Sequence, residues 1–108
     1  MAQDFTRYKA TATGTSGADI LTANSNDAIV SIRLTNRHSS AIAVDCYIND
    51  GSSDFYLIKG ATIPVASSIE LIDGGSRFVV QNNDVLKVDC DTNSALDVWV
   101  SVVDAISA

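Results

Sequence analysis

Short runs in which apolar and polar side chains alternate strictly, each cut off by a turn-forming cluster, set the tightest limit on what this chain can fold into. Over residues 28–35, Ala28, Val30, Ile32 and Leu34 fall on one side and Ile29, Ser31, Arg33 and Thr35 on the other. Successive side chains of a strand point to opposite faces, so this run describes a strand with one buried face. After the polar stretch 36–40 a second alternation sets Ile42, Val44, Cys46 and Ile48 against Ala41, Ala43, Asp45 and Tyr47. The two runs are expected to pair as an antiparallel hairpin.

The same grammar continues downstream. Asn49-Asp50-Gly51-Ser52-Ser53-Asp54 is a turn, and the short run Phe55 to Ile58 is expected to end its strand at Lys59-Gly60. Pro64, the only proline, has no N–H to donate, so residues 62–68 belong at an edge or in a connection. Residues 69–72 read as a strand closed by Asp73-Gly74-Gly75-Ser76, and residues 78–81 as one closed by Asn82-Asn83-Asp84. Leu86, Val88 and Cys90 then share a side, as do Leu96, Val98, Val100 and Val102 in the last run.

No stretch carries a helical period, and no crossover segments separate the runs. The expected fold is all-β, an antiparallel β-sandwich of about eight short strands, with a jelly-roll connection compatible with the pattern. Nearer the start, Thr6, Tyr8, Ala10 and Ala12 share a face, and residues 18–23 could form another strand. Residues 1–13 are expected to be an N-terminal arm or an edge strand, ahead of a single sandwich domain over residues 14–108.

Composition agrees with one folded unit. The chain of 108 residues suffices for one core, and 46% apolar against 19% charged residues is far from the make-up of a disordered segment. All acidic residues but Glu70 are Asp, which favours turns and caps over helix faces. The net charge is −6, and the basic residues (Arg7, Lys9, Arg33, Arg37, Lys59, Arg77 and Lys87) are scattered singly along the chain. A nucleic-acid partner is therefore not expected, since it calls for a concentrated basic face. A membrane partner is not expected either, because no apolar run approaches the roughly 20 residues of a spanning helix, and residues 1–9 do not read as a secretory signal.

Chemistry-bearing residues are sparse. His38, the only histidine, lies in a predicted turn beside Ser39 and Ser40, where adjacency does not supply the oriented base of a nucleophilic site. Cys46 and Cys90 lack metal-ligand spacing and read as two buried thiols, with a cross-strand disulfide in an oxidising environment as the alternative. Asp50 with Asp54, or Asp89 with Asp91, could in principle hold calcium, but neither has the ligand spacing of a calcium loop, and a solvated turn and strand face is the expected reading. No catalytic residue, cofactor or metal is expected.

The outward positions say more. Trp99 shares its side of the last run with Asp97, Ser101 and Val103, and Ile29 and Tyr47 also occupy nominally solvent-facing positions. Large apolar groups on a polar face mark a contact surface. With Phe5 and Tyr8 from the amino-terminal segment, the candidate interface residues are Phe5, Tyr8, Ile29, Tyr47, Trp99 and Val103. For Trp99, packing under a loop or the arm stands level with a role between subunits.

The run Asn26-Asp27-Ala28-Ile29-Val30-Ser31-Ile32-Arg33-Leu34-Thr35-Asn36, followed by Ser39-Ser40-Ala41-Ile42-Ala43-Val44-Asp45-Cys46-Tyr47-Ile48, resembles small virion structural proteins of tailed phages, especially those of marine cyanobacteria. Ile58-Lys59-Gly60, Ile63-Pro64, Ser67-Ser68-Ile69-Glu70-Leu71, Asn83-Asp84-Val85-Leu86 and Ala95-Leu96-Asp97-Val98 extend the resemblance over residues 14–104. It implies a non-enzymatic β-sandwich present in many copies in the virion and assembled in the host cytoplasm, with other virion proteins as partners, either the major capsid protein or a tail protein. A capsid decoration protein, a homo-oligomer with a trimer favoured, is the first expectation. A tail, neck or baseplate component is the second. A glycan-binding attachment module is the third, and it requires Trp99 or Tyr47 to be exposed on a groove.

Overall fold

In a computed structural model, which describes residues 4–72 and 77–104, the alternating runs form nine strands, with no helix among the described residues. These are β1 (Asp4–Thr13), β2 (Ala18–Thr22), β3 (Asp27–Asn36), β4 (Ile42–Asn49), β5 (Asp54–Ile63), β6 (Ser68–Glu70), β7 (Phe78–Val80), β8 (Val85–Cys90) and β9 (Leu96–Asp104). One sheet runs β1-β9-β3-β6, with β7 also on β3, and the other runs β2-β8-β4-β5. Every pairing is antiparallel. The fold is an all-β sandwich.

The pairing follows one rule. The first strand lies beside the last (β1 on β9), the second beside the next-to-last (β2 on β8), and the middle strands close on each other (β4 on β5). Both β6 and β7 pair with β3, at Arg33–Thr35 and Asp27–Ile29 respectively, so they act as one interrupted strand. Counted so, the chain is a folded-back ribbon of eight strands wound over a core, which is jelly-roll connectivity. The turn Asp73-Gly74-Gly75-Ser76 lies outside the described residues.

Between the sheets, Ile32 and Leu34 of β3 and Leu96, Val98, Val100 and Val102 of β9 meet Val44 and Cys46 of β4 and Leu86, Val88 and Cys90 of β8. All of these are 5% exposed or less. Each large aliphatic side chain so buried contributes about 1.5–3 kcal/mol before the entropy of ordering the chain is subtracted.

Three expectations need correction. Residues 28–35 and 42–48 do not form a hairpin, because β3 and β4 lie in different sheets. The segment between them crosses from one layer to the other. Here Asn36, only 2% exposed, donates from Nδ2 to the carbonyls of Ser40 (2.9 Å), Ile63 (3.0 Å) and Pro64 (3.2 Å) and accepts the His38 N–H at Oδ1 (2.7 Å).

The second correction is Ile29, which is not solvent-facing but fully buried. The β3–β9 register slips between Ile29 and Ser31, leaving Val30 as an extra residue. A one-residue bulge reverses the alternation, so Ile29, Ile32 and Leu34 all point inward.

The third correction concerns Lys59-Gly60, where the strand does not end. Strand β5 runs on to Ile63, because Lys59 and Gly60 together oppose Asp45 in a bulge and Gly60 adopts φ 66°. The Asp45 carboxylate accepts the Gly60 N–H at 2.7 Å and so replaces the lost ladder bond.

Candidate interaction surface

The outward face of the β1-β9-β3 sheet gathers three of the six candidate interface residues, Phe5, Trp99 and Val103. Its register defines successive rungs across the strands. Phe5, Val103, Ala28 and Val79 form the first, Arg7, Ser101 and Ser31 the second, and Lys9, Trp99, Arg33 and Glu70 the third. Phe5 is 86% exposed, Val79 60% and Trp99 49%. Val103 is half-buried. The first rung is thus an apolar strip crossing four strands at one end of the face.

At the third rung, strand pairing sets Lys9 and Arg33 on either side of Trp99. The Arg7 guanidinium lies over the indole, 5.5 Å from the ring centroid, a favourable cation–π distance. A groove of about 510 Å³ runs beside the indole, lined by Lys9, Thr11, Arg33, Thr35, Asp97 and Trp99. Its far wall is already ordered. Thr11 donates from Oγ1 to Asp97 at 2.7 Å, and Arg37 donates to Thr11 Oγ1 (2.8 Å) and pairs with Asp97 (3.3 Å).

Four of the basic residues scattered along the sequence, Arg7, Lys9, Arg33 and Arg37, therefore converge on one face. Sequence reading missed this cluster, and also Val79, because cross-strand register sets the neighbours. Tyr8 does not join them, since it lies on the inward side of β1, opposite Val100, and packs against the core.

The opposite face, on β8, β4 and β5, is acidic and carries Tyr47. Half-buried Tyr47 pairs with Tyr56, their ring centroids 4.8 Å apart, and Lys59 Nζ sits 4.3 Å from the Tyr56 centroid. Asp45 and Asp89 lie directly opposite each other on β4 and β8. Burial, followed by the hydrogen bond and charge of Asp45, holds the Asp89 carboxyl above the usual carboxylate range, with Lys59 opposing.

A raised carboxyl stabilises the fold when protonated, and that contribution is lost as pH rises through its folded-state pKa. Asp89→Asn is therefore expected to add roughly 0.5–1 kcal/mol to the unfolding free energy at pH 7, with the advantage shrinking towards about pH 3.5. Urea unfolding of both proteins at the two pH values checks this.

The remaining sequence candidates have structural explanations. Asp50 Oδ1 accepts the N–H groups of Ser52 and Ser53, which hold its carboxyl below the usual range, and Asp54 accepts from Asn49. Asp91 accepts the Ala43 N–H. Among the described residues, no group of three or more His, Cys, Asp or Glu side chains is placed to hold a metal. Cys46 and Cys90 are free, buried thiols. Burial pushes the Cys46 thiol up to about 12 and raises Cys90 as well.

No family model matches the sequence, and no curated protein matches it. The fold is similar to a chain in the acidic stable capsid structure of Helicobacter pylori bacteriophage KHP30, with a TM-score of 0.60 and 10% identity, covering 95% of this chain and 87% of that one.

Proposed function

We propose that this protein is a non-enzymatic structural subunit of a tailed-phage virion, and specifically a capsid decoration protein. The observation that carries the reading is the whole-chain likeness to a chain of a phage capsid structure. It agrees with the resemblance read from residues 14–104, whose strand-and-turn runs also supply the finer assignment to phages of marine cyanobacteria.

Exposed Phe5 and Val79 and half-buried Val103, on the rung that buried Ala28 completes, supply the contact. An apolar strip at the end of a polar face is suited to burial against a neighbouring virion protein or a second copy, with a trimer as the favoured self-assembly. Binding that occurs only on the assembled shell stabilises that shell by mass action.

Particles produced with and without the gene test the proposal. Loss of density from the head shell by cryo-electron microscopy, with genome release at lower temperature, is the expected result. Density confined to the tail, neck or baseplate would move the assignment to the second reading, and absence from purified particles would remove both. Phe5→Asp is expected to reduce incorporation into particles while leaving the isolated protein folded, because that side chain is almost fully exposed.

A further inference from the structure

We infer that the groove beside Trp99 binds an acidic carbohydrate, a sugar chain bearing carboxylate or sulfate groups. This goes beyond the structural role above and uses residues outside the apolar rung.

Charge is the first ground. The chain carries a net charge of −6, yet among the described residues Lys9 has no ion-pair partner and Arg7 is engaged only with the indole. Cations left uncompensated beside a groove, in a chain with excess carboxylate, favour an anionic occupant. Arg33 strengthens this. It lines the groove with its side chain 55% exposed, paired loosely with Glu70 at 3.7 Å and donating to Ser68 Oγ at 3.2 Å.

Shape and chemistry narrow the class. The groove has the volume of a small-molecule site, and its lining combines an indole, two threonine hydroxyls, a carboxylate and two cations. Sugar rings present a flat C–H face that packs on an aromatic side chain, and they present hydroxyls that exchange hydrogen bonds with Thr11, Thr35 and Asp97. An acidic peptide would satisfy the cations but leave the indole and the hydroxyl wall unused.

The parts are preorganised. Arg7 precedes Lys9 by two positions on β1, and so approaches the indole from the side away from Thr11 and Thr35. The Thr11, Arg37 and Asp97 network fixes the far wall before a ligand arrives. Little ordering entropy then opposes binding.

Trp99 is the only tryptophan, so its fluorescence reports this site alone. The full chain is titrated with oligogalacturonate, sialyllactose and heparin oligosaccharides, with neutral maltooligosaccharides and poly-glutamate alongside. Saturable change in emission with at least one acidic saccharide is expected, about tenfold tighter than with the neutral one and weakened by salt. Lys9→Gln, a surface change that leaves the fold intact, is expected to weaken binding by about tenfold, and Trp99→Ala to weaken it similarly by calorimetry. No response to any of the three acidic saccharides would overturn the inference. So would equal binding of the neutral saccharide, unchanged binding by Lys9→Gln, or a matching response to poly-glutamate, which would indicate an acidic polypeptide.

Discussion

Replacing Asn36 with alanine is expected to lower the unfolding free energy by about 2–4 kcal/mol and the melting temperature by roughly 10–15 °C. One buried amide serves the carbonyls of Ser40, Ile63 and Pro64 and the N–H of His38, and so ties the β3–β4 crossover to the end of β5. Alanine fills none of these roles. The cost comes mostly from buried polar groups left without partners, more than from the bonds themselves. Asn36→Asp is expected to be worse at pH 7, because a carboxylate would face three carbonyl oxygens with only the His38 N–H to accept. Its deficit should shrink on acidification, since the protonated acid can donate one hydrogen bond. Thermal unfolding of both variants at pH 7 and pH 4.5 tests this, and equal stability of Asn36→Ala and the parent would show that the crossover does not depend on the amide. With total stabilities of only about 5–15 kcal/mol for such domains, the effect is large.

Asn36 also shows where sequence reading ran out. Its place among polar residues 36–40 marked a turn, but the same composition suits a tight hairpin or a passage between layers. Pairing partners decide which, and they lie far off in the chain, at Ile63 and Pro64 for this residue. By contrast, the inward sets of β4, β8 and β9 were readable residue by residue, because an unbroken alternation needs no partner to fix its phase. Strand β3 broke that rule through Val30, and Ile29 changed sides with it. In β5, Gly60 looked like a terminator, whereas its positive φ serves a bulge on an edge strand, where bulges discourage edge-to-edge pairing. The candidate surface was half legible. Trp99 stood out by its polar neighbours in β9, while Lys9 and Arg33 reach it only through register across β1 and β3.

Glu70, the single glutamate, carries the other large expected effect. Past the end of β6 one backbone bond persists, from the Leu71 N–H to the Ile32 carbonyl at 3.0 Å, and among the described residues strand pairing on β3 resumes at Ile29 with β7. Between the two, the Glu70 carboxylate takes the place of a backbone acceptor, accepting the Ile32 N–H at 2.7 Å, the Ser31 hydroxyl at 2.8 Å and the Ile72 N–H at 3.3 Å. Its ion pair with Arg33, 3.7 Å long and largely exposed on the arginine side, adds little. Hydrogen bonds to a charged acceptor are each worth more than neutral ones, so Glu70→Ala is expected to cost about 1.5–3 kcal/mol. Glu70→Gln keeps one acceptor oxygen and should lose about half as much or less. The decisive reading is local. In Glu70→Ala, hydrogen exchange at the Ile32 amide should accelerate far more than at Leu34, whose neighbour Ile69 still pairs with it in β6. Uniform acceleration along β3 would mean that the carboxylate acts on global stability alone and does not bridge the interruption.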